Sequence, residues 1–489
     1  MRVAHPKQMT LGEVDISQIQ FNPRSRDDIP RILRGLQHVY MNESLREAIF
    51  KLLETEIQPT VSKRVGRLGM ALWNILVLGV LRLDLNADYD RIVELANQHI
   101  TLRQMLGHGV YNDYEYNYQS IVDNVSLLTP ELLEKINTLV VQEGHVLVKK
   151  AEEALHGRCD SFVVETHVEY PTDIGLLFEA MRQAMTLMGR WSEEAGQTEW
   201  RQYRHNIKQI KRLVRAAQRC KHRKIKDDSN DAVKQAHSEL LNISRDYLVK
   251  IQESEQALMQ LCPDALRQQA LQGWITHALR QLDQTERRVL NGEVIPHSEK
   301  VFSLYQPHTE WISKGKAGVP VELGMRVCIL EDRYRFILHH QVMEKETDDK
   351  VAVAMVKEAQ KKFPCLRVVS FDKGFHSPEN QDVLSTLLDQ AALPRKGRLN
   401  EAARQHEQSE EFRHARRQHA SVESAINALE IHGLDRCPDD GIDGFKRYVA
   451  LAVLTRNIHR IGDILWQRDR QYERRRQAAR QGHLNRKAA

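Results

Sequence analysis

Apolar and polar positions alternate with a helical period over the first third of the chain. From Asn42 to about Gly157 apolar residues recur every three or four positions, as in the amphipathic stretch Ser44 to Leu53. The run Met70 to Leu83 is almost wholly apolar but too short to cross a bilayer, so it predicts a buried helix. This part of the chain is therefore expected to be all-helical.

The period changes further along the chain, where several segments have strand character. The runs Val319 to Glu331 and Tyr334 to Met343 are joined by a short polar turn and predict an antiparallel hairpin. Helices are expected from Asp348 to Phe363 and from about Asn380 to Gln390, with a short strand from Ala392 to Lys396. Strands and helices in this order indicate an α/β core that contains a hairpin.

Two further strand-like runs carry a carboxylate at one end. Asp160 begins the run that continues to Val168, and Asp372 directly follows the apolar run Leu366 to Phe371. Gly374 lies two residues beyond Asp372 and allows backbone or ligand to come close. A single Asp in such a position more often forms a turn or caps a helix. The pair becomes informative only together with a third carboxylate.

That third carboxylate is Glu423, in the helical pattern Val422 to Leu429. Carboxylates on two strands and one helix can converge in a folded α/β core. Mg²⁺ and Mn²⁺ prefer such oxygen ligands and leave coordination positions for water and phosphate oxygens. Asp160, Asp372 and Glu423 are therefore the candidate metal ligands and catalytic residues.

At these positions the chain resembles bacterial insertion-sequence transposases of the DDE class, most closely the ISNCY group. The resemblance covers most of the chain, and its combination of motifs is specific although each motif alone is not. Phe162 stands where relatives commonly have Thr, and His167 where Asn is common. Neither change removes a carboxylate. The matching segments are Asp160 to Asp173, Lys300 to Gly324, Val369 to Ser377 and Arg413 to Arg436.

The resemblance implies a ribonuclease H-like catalytic core with a triad of Asp160, Asp372 and Glu423 that holds two Mg²⁺ or Mn²⁺ ions. It also implies cleavage at the ends of an insertion element, strand transfer into target DNA, and a homo-oligomer bound to double-stranded DNA. Two alternatives remain open: a domesticated DNA-binding protein without catalysis, and a stand-alone metal-dependent nuclease. Loss of one of the three carboxylates would favour the non-catalytic DNA-binding protein, but all three carboxylates are present in the sequence.

Other candidate DNA contacts lie in a loop and on a helix. The loop from Lys300 to Gly318 combines Trp311 with Lys314 and Lys316, which could stack on a base and hold phosphate. The alternative is a solvated loop with Trp311 buried. The order of a P-loop is absent, so no nucleotide cofactor is expected. Arg413 and Arg417 precede Glu423 at helical spacing and face either phosphate or solvent.

Composition limits the class of protein. At 489 residues two to four domains are expected, and the net charge is +5. Basic residues cluster in Arg201 to Lys226 and Arg468 to Lys487, where they favour a phosphate backbone or form solvated helix faces. Six scattered cysteines without ligand spacing argue against zinc and for a reduced cytoplasmic protein, nucleoid-associated when bound to DNA.

The predicted fold is α/β, a ribonuclease H-like core with a large helical insertion after an all-helical N-terminal domain, without a membrane partner. The start, with Pro23 and Pro30 as breakers, is expected to be irregular. The predicted divisions are an irregular segment (1–40), a helical N-terminal domain with a candidate DNA-binding role (41–157), the catalytic core (158–174 and 295–450), the helical insertion (175–294) and a basic C-terminal helix or tail (451–489).

Overall fold

The structure is a computed structural model that describes residues 2–5, 9, 11–57, 69–109, 111–149, 153–222, 229–313 and 321–488. The chain forms two compact units. One contains Met1–His167 and Ile312–Ala489, and the other contains Val168–Trp311. Within the described ranges, no helix combines the length and the apolar character that a membrane crossing requires.

The first unit begins with helices that pack around α3, whose residues are all buried as its apolar run predicts. The expectation that residues 1–40 are irregular is wrong in part, because α1 starts at Ile29. Pro30 lies in its first turn, where a missing N–H costs nothing. The helices are α1 (Ile29–Met41), α2 (Glu43–Ile57), α3 (Leu72–Asp84), α4 (Tyr89–Gln98), α5 (Ile100–Met105), α6 (Tyr118–Val125) and α7 (Pro130–Val148).

The second unit is helical, as predicted for this stretch. Met181, Met185 and Met188 are fully buried in a hydrophobic core of its own. The Thr172 hydroxyl accepts a hydrogen bond from the Gly175 amide and caps the first helix. The helices are α8 (Asp173–Glu194), α9 (Tyr203–His222), α10 (Ser229–Leu261) and α11 (Ala265–Thr285).

One mixed sheet contains the seven strands found in the described residues. The central β1 pairs antiparallel with β3 and parallel with β5, β4 pairs antiparallel with β3, and β6 pairs parallel with β5. The strands are β1 (Leu155–Thr166), β2 (Glu310–Ser313), β3 (Val321–Asp332), β4 (Ile337–Met343), β5 (Leu366–Phe371), β6 (Gln390–Ala392) and β7 (Arg436–Cys437). The α/β class and the hairpin of β3 and β4 are confirmed.

The strand expected from Ala392 to Lys396 instead ends at Ala392. Pro394 follows, and a proline cannot donate a backbone hydrogen bond to a sheet. Helices cover the sheet and complete the unit, and both helices predicted between Asp348 and Gln390 are present. They are α12 (Asp348–Lys362), α13 (Pro378–Leu387), α14 (Glu401–Gln408), α15 (Glu410–His419), α16 (Val422–Leu429) and α17 (Gly441–Ala488).

Two predicted boundaries differ from the structure. α17 starts at Gly441, and Val453, Ile461 and Leu465 on it are buried, so the division at residue 451 falls inside a core helix. The first seven helices share one hydrophobic core with the sheet and α17, so the expected N-terminal domain is not a separate body. Apolar faces that the sequence pattern assigns to a helical bundle are instead buried against α17 and the sheet.

Candidate active site

Parallel pairing of β1 with β5 brings Asp160 and Asp372 to neighbouring positions. Cys159 on β1 is the register partner of Phe371 on β5. The next residue along each strand is an aspartate. Asp160 is half-buried, and Asp372 is exposed just beyond the end of β5. Because the strands run in the same direction, Asp160 on β1 lies beside Asp372, which follows the last residue of β5. The expectation that Asp160 begins its strand is wrong, because β1 starts at Leu155 and Asp160 lies in the middle of it.

Glu423 joins them from α16. Val422, Ala425 and Leu429 are buried on one face of this helix and pack it against the core that contains β1. Glu423 lies in the first turn and remains exposed. The negative charge of Glu423 acts on Asp160, as does that of Asp372. The three predicted site residues, far apart in sequence, therefore share one electrostatic environment.

The electrostatics of Asp160 are unusual for a half-buried carboxylate. The pKa of Asp160 is raised to about 7, first by burial and then by the charges of Asp372, Asp348 and Glu423, against the lowering effect of the Ser161 amide. That amide lies 2.8 Å from Asp160 Oδ1. The charged groups with the largest effect on Asp160 are thus all carboxylates, which favours binding of a cation.

Asp348, which sequence reasoning missed, is a fourth carboxylate in the cluster. The Ser161 hydroxyl donates to Asp348 Oδ1 over 2.6 Å. Ser161 therefore forms hydrogen bonds with two aspartates, through its amide with Asp160 and through its hydroxyl with Asp348. A Cβ atom at Gly374 would lie 2.7 Å from Asp348 Oδ2, so the turn after Asp372 closes directly on this carboxylate. In the sequence Asp348 has the appearance of an ordinary acidic residue at a helix start.

His419, at the end of α15, is a second neighbour that the sequence did not single out. Its Nδ1 lies 3.2 Å from the hydroxyl oxygen of Ser370 on β5. Burial lowers the pKa of His419, although the charges of Asp372 and Glu423 act in the opposite direction. His419 is therefore a neutral imidazole beside the carboxylates at neutral pH.

The carboxylates are near one another but not at coordination spacing. Among the described residues, Asp160, Asp372 and Glu423 do not form a group in which one oxygen of each lies within 4.8 Å of the others. Like charges without a cation repel one another. The donor set consists only of carboxylate oxygens, which fits Mg²⁺ or Mn²⁺. The metal-ligand roles of the three residues remain a prediction.

Arginines on α15 lie next to this cluster in sequence and remain exposed. Arg413, Arg416 and Arg417 line an open groove of about 650 Å³ together with Gln408 and Glu410. None of the three arginines forms an ion pair with a carboxylate in the described part of the chain. Arg413 and Arg417, predicted as DNA contacts, are thus available to a phosphate.

Two of the predicted contacts of the loop, Lys300 and Trp311, lie in the second unit. Lys300 is exposed. Trp311 is half-buried, and its ring lies 5.6 Å from those of Tyr170 and Phe302. Trp311 is therefore already engaged in an aromatic cluster, with part of its surface open. Lys314 and Lys316 lie outside the described residues.

The described parts of the two basic segments are helical apart from the turn at Arg201 and Gln202. On α9 the buried positions are Tyr203, Ile210, Val214 and Ala217, and the basic side chains occupy the exposed face. These are Arg204, Lys208, Lys211, Arg212, Arg215 and Arg219. From Gln467 to Ala479, α17 is mostly exposed as well, although Arg468 donates to the Leu147 carbonyl over 2.7 Å.

Comparisons of the chain with profiles of protein families, with curated proteins and with solved structures find no match. The functional argument therefore depends on the residues and their geometry.

Proposed function

We propose that the protein is a DDE-type transposase that cleaves phosphodiester bonds at the ends of an insertion element and joins the freed 3′-hydroxyl to target DNA. The observation that carries the proposal is that Asp160 on β1 lies beside Asp372 at the end of β5, and that the charges of Asp372 and of Glu423 on α16 both act on Asp160. Carboxylates that approach one another without a neutralising cation are costly to the fold, and a bound metal offsets that cost.

The sheet supports the ribonuclease H-like core that the resemblance implies. Its central strand pairs antiparallel with a hairpin on one side and parallel with β5 on the other. This arrangement brings the middle of β1, at Asp160, beside the end of β5, at Asp372. The second unit is inserted between β1 and β3 in the chain, as expected for the helical insertion.

Asp160, Asp372 and Glu423 would hold the metal ions, and Asp160 is the residue on which the charges of the other carboxylates act. When bound, Mg²⁺ or Mn²⁺ lowers the pKa of an attacking water and stabilises the leaving oxygen. Ser161 orients two aspartates, through its amide to Asp160 and its hydroxyl to Asp348. His419, neutral and hydrogen-bonded to Ser370, adds no positive charge that would compete with the ions.

Binding of double-stranded DNA is part of the proposal. The exposed arginines of α15 and the exposed basic face of α9 are surfaces that phosphates can neutralise. Such contacts supply affinity without sequence choice. A transposase requires such DNA-binding surfaces in addition to its catalytic site. Oligomerisation on DNA remains a prediction.

The test uses the DNA that flanks the reading frame, where paired inverted repeats define candidate element ends. Purified protein is incubated with these ends, a target plasmid and Mg²⁺. We expect cleavage at the repeat boundary and joining of the 3′-end to the plasmid, both lost in Asp372→Asn. Cleavage without joining would identify a nuclease, and DNA binding without either reaction would identify a non-catalytic DNA-binding protein.

A further inference from the structure

Three potential metal ligands lie together away from the carboxylate cluster. Asp84 is the last residue of α3, His432 lies in the turn after α16, and His459 lies on α17. One ligand atom from each lies within 4.8 Å of the others, and no other group in the described residues meets this condition. One aspartate and two histidines form a ligand set typical of zinc and similar divalent ions.

Asp84 has an unused ligand atom. Its side chain is fully buried, and its Oδ1 lies 2.6 Å from His459 Nδ1. Its Oδ2 is also buried but has no hydrogen-bond partner among the residues that the structure describes. A buried carboxylate oxygen without a partner is unfavourable, so its presence requires an explanation.

A second buried pair in the same protein shows how a purely structural aspartate is satisfied. His145 Nε2 and Asp332 Oδ2 are also 2.6 Å apart. The other oxygen of Asp332 accepts the amides of Tyr334 and Phe336, at 2.8 and 3.0 Å. Asp332 therefore has no ligand atom left, whereas Asp84 does.

His432 is oriented in the way that metal-binding histidines usually are. Its Nδ1 donates to the backbone carbonyl of Asp84, which leaves the lone pair on Nε2 free. The turn is fixed, since Gly433 has a φ of +92° and a Cβ there would lie 2.7 Å from Asn86 Oδ1. The Tyr448 hydroxyl donates to the Gly433 carbonyl over 3.0 Å. His432 itself is half-buried, which gives an ion a route from solvent.

The surrounding charge permits a cation. Asp463 Oδ1 lies 3.6 Å from His459 Nε2, and Arg456 is the basic side chain whose charge acts on His459. The charges that act on His459 are thus those of two carboxylates, Asp84 and Asp463, and of one guanidinium, Arg456. We propose that Asp84, His432 and His459 bind one divalent transition-metal ion of the zinc class. Such an ion joins α3, α17 and the turn after α16, and so secures the base of the helix that carries Glu423.

The experiment uses Co²⁺ as a spectroscopic substitute for Zn²⁺ on the full chain, in excess Mg²⁺ so that the carboxylate cluster has its own ion. We expect one equivalent of Co²⁺ with the visible absorption of a nitrogen-containing site, displaced by Zn²⁺. His432→Gln should weaken binding by at least about 100-fold, because even the loss of an outer-shell partner costs about 10–100-fold.

Two control variants separate this site from other causes. His145→Gln alters the matched His–Asp pair and should leave the Co²⁺ spectrum unchanged. Asp372→Asn alters the carboxylate cluster and should leave it unchanged as well. Circular dichroism checks that each variant is folded, and Zn²⁺ should raise the melting temperature of the parent but not of His432→Gln. Absence of the band in the parent, or its persistence in folded His432→Gln, would overturn the proposal.

Discussion

Asp160 and Glu331 lie on adjacent strands of one sheet, and burial raises the pKa of each carboxyl to about 7. Their neighbours have opposite signs. Glu331 lies 3.3 Å from Arg158, and the charges of Arg158 and Arg456 lower its pKa against the effect of burial. Asp160 instead faces Asp372, Asp348 and Glu423, which add to the effect of burial.

The difference shows that a shifted pKa does not by itself identify a functional site. Glu331 is buried with cations that the fold supplies, so its charge is neutralised within the protein. Asp160 has carboxylates as its strongest charged neighbours, so a bound cation would stabilise its charged form. The sign of the neighbouring charges, rather than the size of the shift, distinguishes the two residues.

The largest expected effect is on the rate of DNA cleavage, which should depend on Asp160 and not on Glu331. Asp160→Asn removes a ligand and should decrease Mg²⁺-dependent cleavage of element-end DNA by about 1,000-fold or more, because metal ions supply several kcal/mol of transition-state stabilisation. DNA binding should persist. Glu331→Gln, the matched variant on the next strand, should retain cleavage in folded protein. If Asp160→Asn and Glu331→Gln lost the same amount of cleavage activity on the same substrate, the proposed difference between the two carboxylates would be wrong.

The dependence of stability on pH gives a second test. The pKa of Asp160 is raised from 3.8 to about 7 in the folded state, so the metal-free protein loses stability as the pH rises from about 4 to about 7. Allowing for partial exposure, the loss from Asp160 is about 2 kcal/mol, less than the full shift implies. Asp160→Asn should remove this loss.

Urea unfolding at either end of that pH range measures the effect, with and without Mg²⁺. Mg²⁺ should restore the stability of the parent at neutral pH, and of Glu331→Gln as well, because their metal ligands are intact. Asp160→Asn should respond much less. The same Mg²⁺ response in Asp160→Asn as in the parent would show that the ion binds elsewhere.

Asp348 should have a smaller and different effect. Asp348→Asn removes one of the charges around Asp160 but keeps the size of the side chain that accepts from Ser161. We expect the Mg²⁺ concentration for half-maximal cleavage to rise by about 10–100-fold, with the rate at saturating Mg²⁺ retained. A collapse of the rate at saturating Mg²⁺ would make Asp348 a direct catalytic ligand instead.

The smallest effect concerns cations that are not engaged within the fold. Unlike Arg158, Arg413 and Arg417 have no carboxylate partner among the described residues. Replacing either with Ala should weaken binding to all duplexes alike and reduce the slope of log affinity against log salt by about 0.9. Lys361→Ala, which removes an exposed lysine paired with Glu358, is the control and should leave the slope unchanged.

The elements that carry the predicted triad could be inferred from sequence because their signals are local. β5 is a mostly apolar run that ends at Phe371 and is followed directly by Asp372, and the apolar period of α16 spans eight residues. Asp348 could not be recognised, because an acidic residue at a helix start has an ordinary local explanation. Its role depends on Ser161, 187 positions away in the chain.

The Asp84, His432 and His459 group could not be predicted for the same reason. Asp84 is 348 residues from His432 and 375 from His459, so no spacing motif connects them. The cysteines have no compact zinc-binding spacing, but cysteine spacing has no bearing on ligands that only the fold brings together. The extent of α17 was also missed, because its basic end masked a buried first half.

The central claim is that Asp160, Asp372 and Glu423 bind the metal ions of phosphoryl transfer. Its most direct test is a crystal structure grown with Mn²⁺, in which anomalous scattering locates the ions. We expect two peaks about 3.5–4 Å apart, bridged by Asp160 and contacted by Asp372 and Glu423. Mn²⁺ bound elsewhere, or a Glu423 side chain directed away from both aspartates in the presence of metal, would contradict the account.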